Sequence, residues 1–295
     1  MLVGPAASAV RIGRSVARSG MINYTEQLTL LMHDIVARIP ALSFIDVGDV
    51  LVFARHGRSN AQGAFATCHC LTLPPSEPGY YFWRDRSTGR ITRRSEWFVT
   101  KSPNVTLGTR QMKYLISFVL PRFCDQSFDR SRKERFYPGV DDPWIAKLDT
   151  VIHELFHIDP ELKGIRRLDR GDGTYSPQCH SPRFFEQVAG MVTAYLDTCP
   201  DPAVYDFLRH DFSTLDARYG GIVGTSFRTS PSYPQRFIER LSVQPVAEGE
   251  LAQVGLEPVR TGRQPTRYTE DDLYVREFTR TTSRRLVRKG RFRAA

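Results

Sequence analysis

The sequence of 295 residues has little cysteine and no long apolar stretch, and both absences narrow the class of protein. A membrane-spanning helix needs about 20 consecutive apolar residues, and no run of even about eighteen occurs, so we expect no membrane span. The five cysteines are scattered and odd in number, which argues against a disulfide framework and indicates a reducing, cytoplasmic setting. With 41% apolar and 11% aromatic residues, the chain can still build a sizeable core.

Acidic residues are scarce at both ends of the chain, so its positive charge is unevenly placed. Residues 1–21 contain three arginines and no acid, as transit peptides do, but the simpler interpretation is a disordered leader. Residues 275–295 contain seven Arg, one Lys and one Glu, and contribute +7 to the net charge of +9. We therefore predict a basic tail at 275–295 on a nearly neutral body, joined through a Pro- and Gly-rich, linker-like region at 226–274.

Histidine is also scarce, yet two of the seven copies lie in one five-residue motif. The stretch VIHELFHIDPEL, residues 151–162, contains His153, Glu154 and His157 in the pattern H-E-x-x-H. Apolar residues of helical period flank the motif, which predicts a helix whose two histidines lie one turn apart and bind one metal ion. Glu154 can then accept a proton from a zinc-activated water. The alternative is an ordinary helix with two histidines on a solvated polar face.

A zinc enzyme needs a third protein ligand, and the sequence offers three candidates. His180 lies directly before a second predicted helix and is the first choice. Glu186, inside that helix, and Cys179 are the alternatives. Tyr175 lies close by in the sequence and is a candidate hydrogen-bond donor to the oxyanion that forms during amide hydrolysis, although a tyrosine there is more often structural.

Strands before the motif and helices around it predict an α+β fold. Alternating or continuous apolar runs predict strands at 50–55, 63–73 and 111–123, and the stretches YYFWRD and EWFVT predict a hairpin around RSTGR. In H-E-x-x-H enzymes a sheet packs over the motif helix, and its edge strand can hold an extended peptide. The segment 111–123 is the candidate for that strand, and the alternative is a plain core strand. The charged stretch 124–142 is interpreted as a surface loop.

Three segments together resemble a known family: YLISFVLPRF, VIHELFHIDPEL and YSPQCHSPRFFEQVAGMVTAYL. They look like the phage-type metallopeptidase domain of bacteria and phages across roughly residues 25–225, and we place the domain itself at 22–225. A histidine at the head of the helix after the motif is similar to the layout of SprT-like zinc proteases. The resemblance implies a zincin-like domain with an antiparallel or mixed sheet, zinc held by His153, His157 and His180, and Glu154 as general base.

These features lead us to expect a zinc-dependent metallopeptidase that hydrolyses peptide bonds in a protein or peptide substrate. The alternative is a zinc-containing protein without peptidase activity that binds nucleic acid through its basic tail, where Phe278 and Phe292 lie among the arginines. Glu154 favours the enzyme, because a structural zinc site does not need a carboxylate at that position.

Overall fold

The structure, a computed structural model, describes most of the chain between residues 20 and 281. The predicted leader up to residue 19 and the last residues of the tail, from 282, lie outside the described residues. No helix in the described part is both long enough and apolar enough to cross a membrane. The internal residues that are not described are 60–62, 72–78, 86, 98–102, 130, 132, 141, 163, 167, 170–174, 177–179, 230–235, 242, 248 and 251–266.

Helices and strands are mixed along the described residues, which confirms the α+β class. The helices are α1 (Tyr24–Arg38), α2 (Trp144–Phe156), α3 (Pro182–Asp197), α4 (Pro202–Tyr205) and α5 (Phe212–Tyr219). The strands are β1 (Ile22–Asn23), β2 (Val50–Gly57), β3 (Ala66–Cys70), β4 (Gly79–Arg84), β5 (Ile91–Trp97), β6 (Asn104–Leu107), β7 (Arg110–Gln111), β8 (Tyr114–Pro121), β9 (Leu168–Asp169), β10 (Tyr175–Ser176), β11 (Ile222–Phe227), β12 (Arg236–Arg240), β13 (Arg267–Tyr268) and β14 (Leu273–Phe278).

Strand β8 is the central strand of a mixed three-stranded sheet, parallel to β2 and antiparallel to β3. Its alternating side chains separate as predicted: Tyr114, Ile116 and Phe118 enter the main core, whereas Leu115 enters a second cluster on the opposite face. The edge position considered for 111–123 is wrong and the alternative, a plain core strand, is confirmed, because both sides of β8 are paired and its residues are buried. The strand that packs against α2 is β3, at the edge of this sheet.

Helix α2, which contains the H-E-x-x-H motif, lies in the main core between α1, α3 and β3. The apolar stripe predicted from the periodicity is fully buried, as expected from its spacing of three and four residues. That stripe consists of Leu148, Val151, Ile152 and Leu155. Because the stripe fixes the rotation of α2 in the core, it also determines where the histidines of the motif lie.

Helix α3 begins as predicted. The Ser181 hydroxyl accepts the backbone N–H of Phe184 at 3.1 Å, and Pro182 occupies the first helical position, where its missing N–H is not needed. The first turn of α3 therefore has a fixed start directly after His180. Packing of α3 against α2 brings that start to the motif helix.

Residues after 225 contribute more to the fold than their composition indicated. Strand β11 pairs in parallel with β1 on one side and antiparallel with β14 on the other. Phe227, Tyr268 and Leu273 enter the second hydrophobic cluster. The region 226–274, predicted to be linker-like, thus includes strands and part of a core.

The basic tail predicted from Val275 begins inside β14, where Val275 and Phe278 are buried. Arg280 follows and makes a two-pronged ion pair with Asp125, with N–O distances of 2.9 and 3.2 Å. Leu273 and Val275 lie on one face of β14 and Phe278 on the other, and the adjacent charges of Arg276 and Glu277 concealed this strand in the sequence. The start of the charged region is therefore part of the domain.

We predict that truncation after Asp272 strongly destabilises the protein, whereas truncation after Thr281 does not. The shorter chain loses the buried side chains of Leu273, Val275 and Phe278, which together stabilise the fold by roughly 5 kcal/mol. The thermal midpoint should fall by about 10 °C or more, measured by circular dichroism. Equal midpoints for the two truncated chains would contradict the assignment of β14 to the fold.

Candidate metal centre

Three histidines converge where the end of α2 meets the start of α3. His153 lies in the last turn of α2, His157 directly follows the helix, and His180 precedes α3. The Nε2–Nε2 distances are 3.0 Å between His153 and His180, 3.1 Å between His153 and His157, and 3.0 Å between His157 and His180. Among the described residues, these three side chains form the group whose ligand atoms are close enough to share a metal ion.

The triangle of nitrogen atoms fits a tetrahedral metal site. Imidazole nitrogens bound to zinc at about 2.0–2.1 Å in tetrahedral geometry lie about 3.3 Å apart. The observed separations are a few tenths of an ångström shorter. Each Nε2 of a neutral imidazole carries either one proton or one lone pair, so hydrogen bonds alone cannot satisfy all three contacts well. Three imidazoles are a donor set that suits a divalent first-row ion such as zinc.

Burial keeps the histidines in the form that binds metal. The side chains of His153 and His157 are only 8% and 7% exposed, so they do not lie on a solvated face. Burial lowers the pKa of His157 to about 3 and that of His153 well below its usual value, and the nearby Lys133 charge adds to both shifts. The pKa of the more exposed His180 is lowered in the same way. All three imidazoles are therefore neutral at pH 7, as metal ligands must be.

Two aromatic rings from the first turn of α3 cover the histidines. The Phe184 ring centroid lies 5.0, 4.9 and 5.2 Å from those of His153, His157 and His180. Phe185 stacks on His180 at 5.5 Å with an interplanar angle of 11°. These contacts were not anticipated from the sequence, because His180 lies before the start of α3 and no helical spacing relates it to Phe184.

Within the described part of the chain, the second ring nitrogens of the motif histidines are buried without hydrogen bonds. Neither Nδ1 of His153 nor Nδ1 of His157 has a partner among the described residues. In most metal-binding histidines this nitrogen donates to a carboxylate or carbonyl that fixes the ring. Here the ring orientations depend on packing against Phe184 and Phe185.

Glu154 lies beside the histidines and is also buried. The backbone N–H of Cys68, in the edge strand β3, donates a hydrogen bond to its carboxylate. Burial raises the pKa of Glu154 to about 7, and the Lys133 charge and the Cys68 N–H oppose that rise. A carboxylate with a pKa near neutrality can both accept and return a proton.

A buried polar network attaches the connection between β8 and α2 to the motif helix. The Lys133 ammonium group contacts the Asp149 carboxylate and donates to the Thr150 hydroxyl at 3.2 Å. The Tyr137 hydroxyl donates to Asp149 at 2.6 Å, and the Gln126 amide donates to Thr150 at 2.9 Å. The network therefore attaches Gln126, Lys133 and Tyr137, which lie in the connection between β8 and α2, to the motif helix beside the histidine cluster.

Lys133 is a residue of the site that the sequence did not reveal. The stretch 124–142 was interpreted as a surface loop, yet the Lys133 side chain is only 15% exposed. Its partner Asp149 lies one helical turn before His153, so the ammonium group is close enough to lower the histidine's pKa. No local pattern distinguishes such a lysine from the neighbouring exposed charges.

A groove of about 790 Å³ opens beside His180. It lies between the segment 131–138 and the first turn of α3, and combines apolar with charged residues. Its lining consists of Ser131, Glu134, Arg135, Pro138, His180, Ser181, Pro182 and Phe185. The groove gives an extended molecule access to the most exposed of the three histidines.

The other residues proposed from the sequence lie apart from this cluster or outside the described side chains. Glu186 is exposed on α3 and does not belong to the histidine group. The backbone of Tyr175 pairs with Asp169 in a two-stranded ribbon, and its side chain lies outside what the structure describes. Cys179 also lies outside the described residues.

Comparison of the chain with protein-family models, with curated proteins and with solved structures finds no match. The interpretation of the site therefore depends on its own residues and their geometry.

We predict that each of the substitutions His153→Ala, His157→Ala and His180→Ala lowers the affinity for zinc by more than about 100-fold. Removing a ligand should cost more than removing an outer partner, which costs about 10–100-fold. Glu186→Ala, an exposed neighbour of His180, is the control and should bind zinc normally. Competition with a chromophoric chelator measures all four affinities. Loss of zinc from Glu186→Ala with retention in His180→Ala would assign the third ligand to Glu186.

We also predict that the Lys133–Asp149 ion pair stabilises the site. Lys133→Met leaves the Asp149 carboxylate buried without its cation, which should lower the free energy of unfolding by about 3–5 kcal/mol. The double variant Lys133→Met/Asp149→Asn removes both charges and should be less destabilised than the single variant. Urea unfolding measures the three free energies. A double variant less stable than Lys133→Met would show that the pair is not the relevant constraint.

Proposed function

We propose that the protein is a zinc-dependent metallopeptidase of the H-E-x-x-H type with a zincin-like arrangement. The observation that carries this proposal is the triangle of Nε2 atoms from His153, His157 and His180 beside the buried carboxylate of Glu154. The motif likeness to phage-type and SprT-like metallopeptidases supports the same assignment. A mixed sheet whose edge strand packs on the motif helix is also consistent with it.

The three histidines would hold the zinc ion, which supplies Lewis-acid polarisation of the scissile carbonyl and lowers the pKa of water. Glu154 acts as general base: its carboxylate accepts a proton from the attacking water and passes it to the leaving amine nitrogen. The Cys68 N–H holds that carboxylate on the side of β3. Lys133 adds positive charge near the site, which favours the negative charge that develops on the substrate oxygen.

The substrate in this proposal is an extended peptide that lies in the groove beside His180. The groove leads from the segment 131–138 to the start of α3, and its volume accommodates several residues. Strand β3 lies on the side of Glu154 and is the candidate edge for backbone pairing, the role first assigned to 111–123. Tyr175 remains a candidate donor to the oxyanion.

The number of ligands favours an enzyme over a structural metal site. Structural zinc sites are closed by four protein ligands, whereas catalytic sites have three and leave a position for water. Among the described residues, three side chains converge here. The buried Glu154 carboxylate would also be costly in a purely structural site, because one hydrogen bond from the Cys68 N–H does not offset the burial of a full negative charge.

We predict that Glu154→Gln retains zinc but lowers peptidase activity by about 10²–10⁴-fold, because glutamine cannot accept the proton. The assay follows hydrolysis of fluorescein-labelled casein, with zinc content measured on the same samples. Glu186→Gln is the matched control, since it removes an exposed carboxylate from α3, and it should have full activity. Undiminished hydrolysis by Glu154→Gln would assign the general base to another residue.

A further inference from the structure

A second three-stranded sheet has one face of unusual composition. Strands β4, β5 and β12 form an antiparallel sheet with β5 in the middle. Alternate residues of a strand lie on the same face, so the pairing places three rows of residues together on one face. The rows are Gly79–Trp97–Arg236, Tyr81–Ser95–Ile238 and Trp83–Arg93–Arg240, and we call them the aromatic–arginine face.

The aromatic–arginine face has three aromatic residues and three arginines but no acid. Both acidic residues of these strands, Glu96 and Glu239, occupy register positions on the opposite face. The separation gives this face a positive potential that is complementary to a polyanion.

Among the side chains of the aromatic–arginine face that the structure describes, those of the row Trp83–Arg93–Arg240 are open or partly open to solvent. The Trp83 side chain is 41% exposed, and the Arg93 guanidinium lies over its ring at 4.8 Å from the centroid. Arg240, in the same row, is also exposed. Arg94, on the opposite face, is only 8% exposed. A large aromatic ring is thus open to solvent beside two cations, the half-buried Arg93 and the exposed Arg240.

We propose that the aromatic–arginine face binds single-stranded nucleic acid. Aromatic residues stack on bases without regard to sequence, and arginines contact the phosphates between them. Successive rows are about 6.8 Å apart, close to the spacing of nucleotides in an extended strand. A duplex keeps its bases stacked on one another, so an exposed tryptophan gains little from it. This proposal is independent of the peptidase assignment.

The charged tail is a second candidate for polyanion binding. Its contribution must be distinguished from that of the aromatic–arginine face. Residues 282–295 contain five Arg and one Lys, and they lie outside the described residues. Charge alone binds single strands and duplexes through phosphates without base stacking. Selectivity for the single strand and dependence on Trp83 therefore distinguish the sheet from the tail.

The test measures binding of the full chain to a fluorescein-labelled oligothymidine of about 20 nucleotides by fluorescence anisotropy. Trp83→Ala should weaken binding about tenfold, and Trp83→Phe, which keeps a stacking ring, should restore most of the affinity. Arg93→Gln/Arg240→Gln should reduce the salt dependence by about one unit of log–log slope. The tail variant Arg291→Gln/Arg293→Gln is the charge-matched control and should weaken single-strand and duplex binding equally.

Several results would overturn the proposal. One is the absence of binding, and another is a Trp83→Ala variant whose affinity for the single strand stays within about twofold of the parent. Equal affinity for a duplex of the same length would indicate contact with phosphates alone. If polyglutamate or phosphatidylserine vesicles bind with the same dependence on Trp83, the occupant is an acidic protein or a membrane surface. Circular dichroism of each variant checks that the fold is intact.

Discussion

The packing of α3 against α2 is the interaction on which the candidate site depends. The H-E-x-x-H motif alone places two imidazoles on one helix, and two ligands do not hold a metal ion firmly. His180 completes the set only because the capped start of α3 lies at the end of α2. Phe184, four residues later, contacts all three imidazole rings and links ligand geometry to the core. Fold and metal site are therefore parts of one packing arrangement.

This arrangement buries several polar groups close together in the core, which lowers the stability of the fold. Neutral imidazoles crowd together, two Nδ1 atoms lack hydrogen-bond partners among the described residues, and Glu154 is buried beside them. Such groups lower stability unless something compensates for them. A divalent ion bound by the three imidazoles would offset the crowding and favour the ionised carboxylate of Glu154. The Lys133–Asp149 pair fixes the neighbouring segment close to these groups.

Local patterns predicted the elements that carry the site, whereas long-range pairing was not predictable. The stripe in α2, the Ser181 cap and the alternation in β8 each depend on neighbours in sequence, and all three predictions are confirmed. The order of strands depends on distant partners, which is why the edge strand was assigned wrongly. Arg276 and Glu277 concealed β14 because charge dominates composition even where one face of a strand is buried. Lys133 was missed because burial of a lysine depends entirely on tertiary contacts.

The central claim is that His153, His157 and His180 bind one metal ion. X-ray diffraction from crystals grown with zinc, recorded on both sides of the zinc absorption edge, tests it most directly. We expect one anomalous peak at about 2.0–2.1 Å from the three Nε2 atoms, with Glu154 beside it but not among its ligands. The absence of a peak between the three imidazoles, or a zinc ion held by other residues, would contradict this account.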